Sequence, residues 1–230
     1  ASLDIDLFDT SKVKNMSGMF KECNALLKLN VSLFNTPNVL DMAEMFQDCT
    51  LLTYLNVSKF DTSQVRNMSG MFDECLALRT LDVSNFITNE VTDMSRMFRY
   101  CQNLQIINTK SFNTEKVTNM SKLFQICKVA SGIDVSNFNT KLVSDMSYMF
   151  EECRKTSRIN VSLFDTSNVI NMRNMFKYTS VSSLDLSNFD TRKVEDMAQM
   201  FMYCNNLKEL NISNFDTSNV RNMSSMFEHA

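Results

Sequence analysis

Residues 55–80, LNVSKFDTSQVRNMSGMFDECLALRT, contain one complete unit of a repeat that fills the chain. Nine versions of it, some incomplete at the ends, account for all 230 residues. Each version contains a Met-x-x-Met-Phe core, in which Leu123 once replaces the second methionine. The cores begin at Met16, Met42, Met68, Met94, Met120, Met146, Met172, Met197 and Met223, a spacing of 26 residues seven times and 25 once. Such a period is the signature of a solenoid, in which each coil stacks on the next.

A solenoid is one quasi-linear domain whose length follows from its number of coils, so residues 1–230 are predicted to form a single repeat domain. The ends of a solenoid expose apolar core unless a capping repeat covers them. The chain begins and stops within the repeat and has no capping unit, so we expect it to be a fragment of a longer solenoid.

The first half of each unit alternates apolar and polar residues, the period-two pattern of a half-buried β-strand. Stacked coils would place these strands side by side in one parallel sheet, about 4.8 Å apart. The predicted strands are residues 3–5, 29–31, 55–57, 81–83, 107–109, 133–135, 159–161, 184–186 and 210–212.

The second half of each unit changes period. Met68, Met71, Phe72 and Cys75 stand at i, i+3, i+4 and i+7, which is one face of a short helix. An Asn or Asp precedes the first Met in every unit, and both are favoured helix N-caps. The predicted fold class is therefore an α/β solenoid of about nine 26-residue turns, with a parallel sheet on one side and short helical turns on the other.

The Asn/Asp column alternates without exception. It reads Asn15, Asp41, Asn67, Asp93, Asn119, Asp145, Asn171, Asp196 and Asn222. Alternation keeps carboxylates off neighbouring coils, where two of them about 5 Å apart would repel by roughly 1 kcal/mol in water. The strand column that runs from Asp4 to Asn211 also has no acids on neighbouring coils. We hypothesise that this repulsion shaped both columns.

The apolar inventory is used up by repeat columns: all 18 Phe and 17 of the 18 Met belong to them, which favours core packing over a cofactor pocket. The seven cysteines also share one column: Cys23, Cys49, Cys75, Cys101, Cys127, Cys153 and Cys204. We interpret them as buried free thiols. Disulfides between neighbouring coils are the alternative, if the Cα atoms lie within about 4.4–6.8 Å.

The composition argues against several functional classes. With His229 as the only histidine and no Cys-x-x-Cys pair, neither a zinc site nor a catalytic triad is predicted. Three glycines do not make a phosphate loop. A net charge of −3 without a basic run does not favour nucleic acid, and no apolar stretch reaches the length of a membrane span. We therefore predict a protein that is not an enzyme, has no cofactor and does not insert into a membrane through this segment.

The residue just before each predicted strand varies freely along the chain. A rigid coil with a varied stripe on an extended face is how repeat proteins bind partners, although neutral drift at exposed sites gives the same pattern. We place a candidate binding face on the strand side, where charge changes at Arg158 or Glu209 are expected to alter binding without altering stability. The face comprises Asp4, Asn30, Tyr54, Asn56, Asp82, Asp134, Arg158, Asn160, Asp185, Glu209 and Asn211.

The unit, especially LDVSNF at residues 81–86 and FDTSNVRNMSSMF at residues 215–227, closely resembles the BspA-like leucine-rich repeats of the mycoplasma lipoprotein type. The resemblance covers essentially the whole chain. It implies a right-handed, leucine-rich-repeat-like solenoid, and such repeats occur in surface proteins where they are thought to mediate adhesion.

The resulting functional hypothesis is a non-enzymatic extracellular module for surface recognition or adhesion. Its partner would be a protein or glycan on a cell surface or matrix. One alternative is a structural subunit that self-associates end to end into filaments or an extracellular layer. The other is an intracellular scaffold for protein–protein interactions.

Overall fold

The computed structural model describes residues 3–230 as a stack of nine coils, which we number 1 to 9 in the order of their Met-x-x-Met-Phe cores. One buried apolar cluster runs from Ile5 in coil 1 to Met226 in coil 9. Residue n lies beside residue n+26 of the next coil in the paired strands. The predicted repeat solenoid is confirmed.

The strands are shorter and fewer than predicted. They are β1 (Lys28–Leu29), β2 (Tyr54–Leu55), β3 (Ile106–Ile107), β4 (Gly132–Ile133), β5 (Ser183–Asp185) and β6 (Glu209–Asn211). They pair in parallel as three separate sheets, β1 with β2, β3 with β4, and β5 with β6. The single nine-stranded sheet is therefore wrong, because coils 1, 4 and 7 contribute no strand within the described residues.

Continuous pairing lies instead in the second half of each coil. Parallel bridges join the Asn/Asp residues of neighbouring coils without interruption from Asn15 to Asn222. At every junction, four alternate N–H groups donate to carbonyls of the next coil, 25 residues further on or 24 at the shortened coil, at 2.7–3.2 Å. In coil 1 the donors are Met16, Gly18, Phe20 and Glu22. We call residues 15–22 and their equivalents in coils 2–9 the turn ladder.

The predicted short helices are wrong, since residues 3–230 contain no helix. In the turn ladder of coil 1, the Met19 N–H bonds to the Met16 carbonyl at 3.2 Å, and Gly18 between them has a φ of +62°. That combination is a type II β-turn. Two positions in each coil have φ between 53° and 63°, and sixteen of these eighteen residues are not glycine. A right-handed helix cannot continue through such residues.

The hydrogen bonds between coils explain why these residues accept a left-handed backbone. Holding a residue with a Cβ there costs about 1–2 kcal/mol. The same residues, such as Glu44 and Asp48, donate their N–H groups to carbonyls of the next coil at 2.8 Å. A helix would direct those donors along the chain and leave neighbouring coils unlinked. The i, i+3, i+4 pattern of apolar residues therefore does not distinguish a helix from this string of β-turns, because both bury the same Met and Phe side chains.

The Asn/Asp side chains make the hydrogen bond predicted for them, although no helix follows. Asn15 Oδ1 accepts from the Ser17 N–H at 2.7 Å, and the equivalent bond occurs in all nine coils. The interaction is an Asx-turn that opens the turn ladder.

A buried threonine in each of coils 1–8 forms a second link to the next coil that was not predicted. The Thr88 hydroxyl donates to the Asn113 carbonyl at 2.8 Å and accepts from the Asn113 N–H at 2.8 Å. Its equivalents donate in the same way at all eight junctions.

The core columns pack as predicted. The phenylalanines of the turn ladder form one stack from Phe20 to Phe227, with ring centroids 5.5–5.9 Å apart. All seven cysteines are free and six are buried, which confirms the thiol column and not the disulfide alternative. The Cys75 thiol donates to the Phe46 carbonyl of the preceding coil at 3.3 Å. Burial raises the pKa of Cys49 to about 12.

Nowhere in residues 3–230 does the chain form a helix of the length and apolarity that crossing a bilayer requires.

Replacing Gly70 with alanine discriminates between the β-turn and the helix. Gly70 has a φ of +61°, and an added Cβ would lie 3.3 Å from the Glu44 Cγ. We expect Gly70→Ala to lower the free energy of unfolding by about 1 kcal/mol, measured by urea denaturation. A helix predicts the opposite, a gain of about 1 kcal/mol. Gly132→Ala, in open space at an ordinary φ, is the control and should be neutral or slightly stabilising.

Asn67→Asp tests the repulsion hypothesis, because Asn67 bridges Asp41 on one side and Asp93 on the other. The new carboxylate keeps the Asx-turn acceptor but adds repulsion of about 1 kcal/mol from each neighbour. Those neighbours raise its pKa in the folded state, so the loss of stability should grow between pH 5 and pH 8. Asn67→Ala, which removes the Asx-turn without adding charge, should lose the same stability at both pH values. The hypothesis would be contradicted if the difference in free energy of unfolding between Asn67→Asp and the wild type did not change between pH 5 and pH 8.

Candidate functional site

The variable residues that precede the predicted strands are all exposed. This column consists of Lys28, Tyr54, Thr80, Ile106, Gly132, Arg158, Ser183 and Glu209. Two large side chains in it, Tyr54 and Ile106, are 57% and 63% exposed. The strand side of the solenoid therefore presents an uneven surface on a backbone that the turn ladder holds fixed.

The Asn and Asp residues of the candidate binding face each have a structural role that the sequence did not reveal. Each Oδ1 accepts the N–H of the residue two positions further on, at 2.9–3.2 Å. They are Asp4, Asn30, Asn56, Asp82, Asp134, Asn160, Asp185 and Asn211. A second set of Asx-turns thus bends the chain after each strand position. Ligand contacts by these residues stay a prediction.

A groove of about 360 Å³ crosses the candidate binding face at coil 4. Thr80 lies at its centre, between the larger Tyr54 of coil 3 and Ile106 of coil 5. Coil 4 contributes no strand, so the groove lies between the β1–β2 sheet and the β3–β4 sheet. Among the predicted residues, the groove brings together Tyr54, Asn56 and Asp82. It leaves elsewhere Asp4, Asn30, Asp134, Arg158, Asn160, Asp185, Glu209 and Asn211.

A second depression of about 490 Å³ adjoins this groove and was not predicted. It is lined by Arg79, Asn103, Gln105, Val129, Ser131 and Lys155, and it shares Arg79 and Gln105 with the coil-4 groove. Arg79, Gln105 and Ser131 stand one position before the variable column, on consecutive coils. Including the column one position before the variable residues in the candidate binding face would have identified these three residues from the sequence.

The two sides of the solenoid use charge differently. On the turn ladder, charged side chains pair between coils: Glu44 contacts Lys21 at 2.8 Å and Arg96 at 3.1 Å, and Arg99 contacts the buried Asp73 at 2.7 Å. In the second depression, Arg79 and Lys155 have no side-chain partner within residues 3–230. These turn-ladder pairs link neighbouring coils, whereas Arg79 and Lys155 are exposed to solvent.

The shortened connection after Phe176 forms a small notch of about 150 Å³, lined in part by Arg154, Tyr178 and Tyr203. Thr179, which replaces the repeat cysteine there, donates its hydroxyl to the Phe176 carbonyl at 2.8 Å. The turn ladder passes this point without interruption, since Asn171 still bridges Asp196. The deletion is therefore absorbed in the connection that follows the turn ladder.

In the described part of the chain, no three His, Cys, Asp or Glu side chains gather as a metal ion would require.

Comparisons with known proteins identify a repeat family. The model of the family described as "Mycoplasma protein of unknown function, DUF285" matches residues 1–106, 76–158 and 153–230. A similar solved structure is a leucine rich cell surface protein from Faecalibacterium prausnitzii A2-165, at 15% identity and a TM-score of 0.32 over 91% of this chain and 78% of that chain. The comparison with curated proteins found no match.

Removing the Ser136 hydroxyl should raise the pKa of Asp134, a residue of the candidate binding face. Asp134 accepts from the Ser136 hydroxyl at 2.6 Å and from the Ser136 N–H at 3.1 Å, and these bonds lower its pKa. A lowered pKa means that the carboxylate stabilises the fold above its ordinary pKa and loses that effect as the pH falls through the folded value. We expect Ser136→Ala to raise the Asp134 pKa towards the ordinary value in a carboxyl NMR titration. Asp82, which bonds to its own Ser84, should not shift.

Proposed function

Because the chain belongs to the DUF285 family of mycoplasma-type repeats, whose model matches it from end to end, we propose that it is a non-enzymatic recognition module. It would bind a protein or glycan ligand through the strand side of the solenoid. The family match confirms the mycoplasma-type repeat that the sequence resembles, and the association of such repeats with surface proteins supports an extracellular position.

One observation carries the proposal: the groove at coil 4, where Thr80 leaves a gap between Tyr54 and Ile106. A concave, largely apolar surface with a few polar groups is the usual form of a binding site. Tyr54 offers a large rigid ring at low entropic cost, and Asn56 and Asp82 supply polar atoms beside it. The groove lies on a scaffold that four backbone hydrogen bonds per junction hold in register, so binding would require little ordering of the protein.

Filling the groove tests the proposal. We expect Thr80→Trp to abolish binding to ligands found on arrays of glycans and extracellular-matrix proteins, because the indole would occupy the space between Tyr54 and Ile106. Asn89→Trp is the matched control, since Asn89 is exposed in the same coil but does not line the groove. Thermal unfolding should give similar midpoints for both variants and the wild type.

Array ligands that bind Thr80→Trp as well as the wild type would contradict the proposal. Arg158→Glu, a change at an exposed position of the candidate binding face, extends the test beyond coil 4. We expect it to alter binding of ligands longer than the groove and to leave the thermal midpoint unchanged. Equal losses of binding and stability would assign Arg158 a structural role instead.

A further inference from the structure

We propose that the coil-4 groove and the adjoining depression form one trough that binds a glycan with sparsely spaced carboxylates. This inference rests on the proposed function and names its ligand class. The trough is defined by the residues that line the two depressions, of which Arg79 and Gln105 line both.

The backbone makes the trough continuous. The Gln105 N–H donates to the Arg79 carbonyl at 3.2 Å, and the Ser131 N–H donates to the Gln105 carbonyl at 3.2 Å. These bonds hold coils 4, 5 and 6 together along the floor between the two depressions. Their volumes, about 360 and 490 Å³, each lie in the range of about 300–1,000 Å³ that is usual for ligand sites. A chain of several units therefore fits better than a single small molecule.

The groove section has the chemistry of a neutral sugar site. A pyranose ring has an apolar C–H face and a polar rim, so it needs an apolar wall with donors and acceptors around it. Tyr54 and Ile106 provide the wall. The side-chain NH₂ groups of Asn56 and Asn108, whose Oδ1 atoms accept backbone N–H groups, provide donors for hydroxyl groups. The Gln105 amide provides both a donor and an acceptor.

The second section adds a positive charge without a compensating negative one. Its lining includes Arg79 and Lys155 but no Asp or Glu. The planar guanidinium of arginine bonds to a carboxylate through two parallel hydrogen bonds, while the lysine ammonium acts as a point charge. The depression is therefore complementary to one or two carboxylates separated by neutral units.

The charge of the whole chain selects for a sparsely charged ligand. The net charge is −3, and Asp82 lies at the groove end of the trough. A densely sulfated chain would place several negative charges against these groups and be repelled. An extended peptide would instead add to a free strand edge, and the longest strands in residues 3–230 have three residues. A carboxylated glycan fits the side-chain amides and the two cations.

Calorimetric titration with three hexasaccharides tests the inference. The probes are hyaluronan, which alternates a uronic acid with a neutral sugar, chitohexaose, which is neutral, and a sulfated heparin fragment. We expect hyaluronan to bind most tightly and to weaken as salt screens the charges. Arg79→Gln and Lys155→Gln should each weaken hyaluronan binding by about five- to tenfold, and Arg79→Lys should lose less. Lys14→Gln, at an exposed lysine in coil 1, is the control and should bind like the wild type.

Three outcomes would overturn the inference: chitohexaose or heparin binding as tightly as hyaluronan, hyaluronan binding that does not depend on Arg79 or Lys155, or binding of none of the three. The array experiment separates these from a failure of the proposed function. If an array ligand is lost in Thr80→Trp while hyaluronan does not bind, the glycan class is wrong and the recognition module stands. If Thr80→Trp retains all array ligands, the proposed function fails as well.

Discussion

The backbone hydrogen bonds between neighbouring coils in the turn ladder are the interaction on which the whole structure depends. A single coil has no helix and at most three strand residues, so it cannot satisfy its own backbone or bury its own core. Stacking supplies four donors per junction. These bonds offset the cost of two left-handed residues per coil, and they hold every Met, Phe and Cys column in register.

A fixed turn ladder allows the opposite side to vary. Strand pairing is incomplete there, and coils 1, 4 and 7 of the described chain lack strands. Exposed residues range from Gly132 to Tyr54. Where a small residue such as Thr80 lies between larger ones, a groove forms. The same division explains the shortened coil, whose missing residue lies outside the turn ladder.

Acidic residues on neighbouring coils are avoided in one column of the turn ladder and tolerated in another. Carboxylates alternate with amides in the bridged Asn/Asp column. At the second left-handed position, however, three acids follow on consecutive coils: Glu22, Asp48 and Glu74. Burial and then Asp48 raise the pKa of Glu74, which shows the repulsion expected there. Avoidance of neighbouring acids is therefore specific to particular columns, and water moderates it where side chains reach solvent.

The sequence by itself determined the period, the number of coils, the inward columns and the thiol interpretation, because a side chain that recurs every 26 residues must stack on its own copies. It also placed Tyr54, Asn56 and Asp82 on a candidate binding face, and the structure shows that all three line the groove, while their part in binding stays a prediction. Only the tertiary structure decided that the Met-x-x-Met-Phe segment is a string of β-turns, since a helix and this string bury the same side chains. The two structures differ in their backbone hydrogen bonds. A helix directs its N–H groups to carbonyls four residues earlier in the chain, whereas the β-turn string directs alternate N–H groups to carbonyls of the next coil. That Arg79 and Lys155 line one depression was likewise decided by stacking, because these residues are three coils apart in sequence and share a surface only when the coils are assembled.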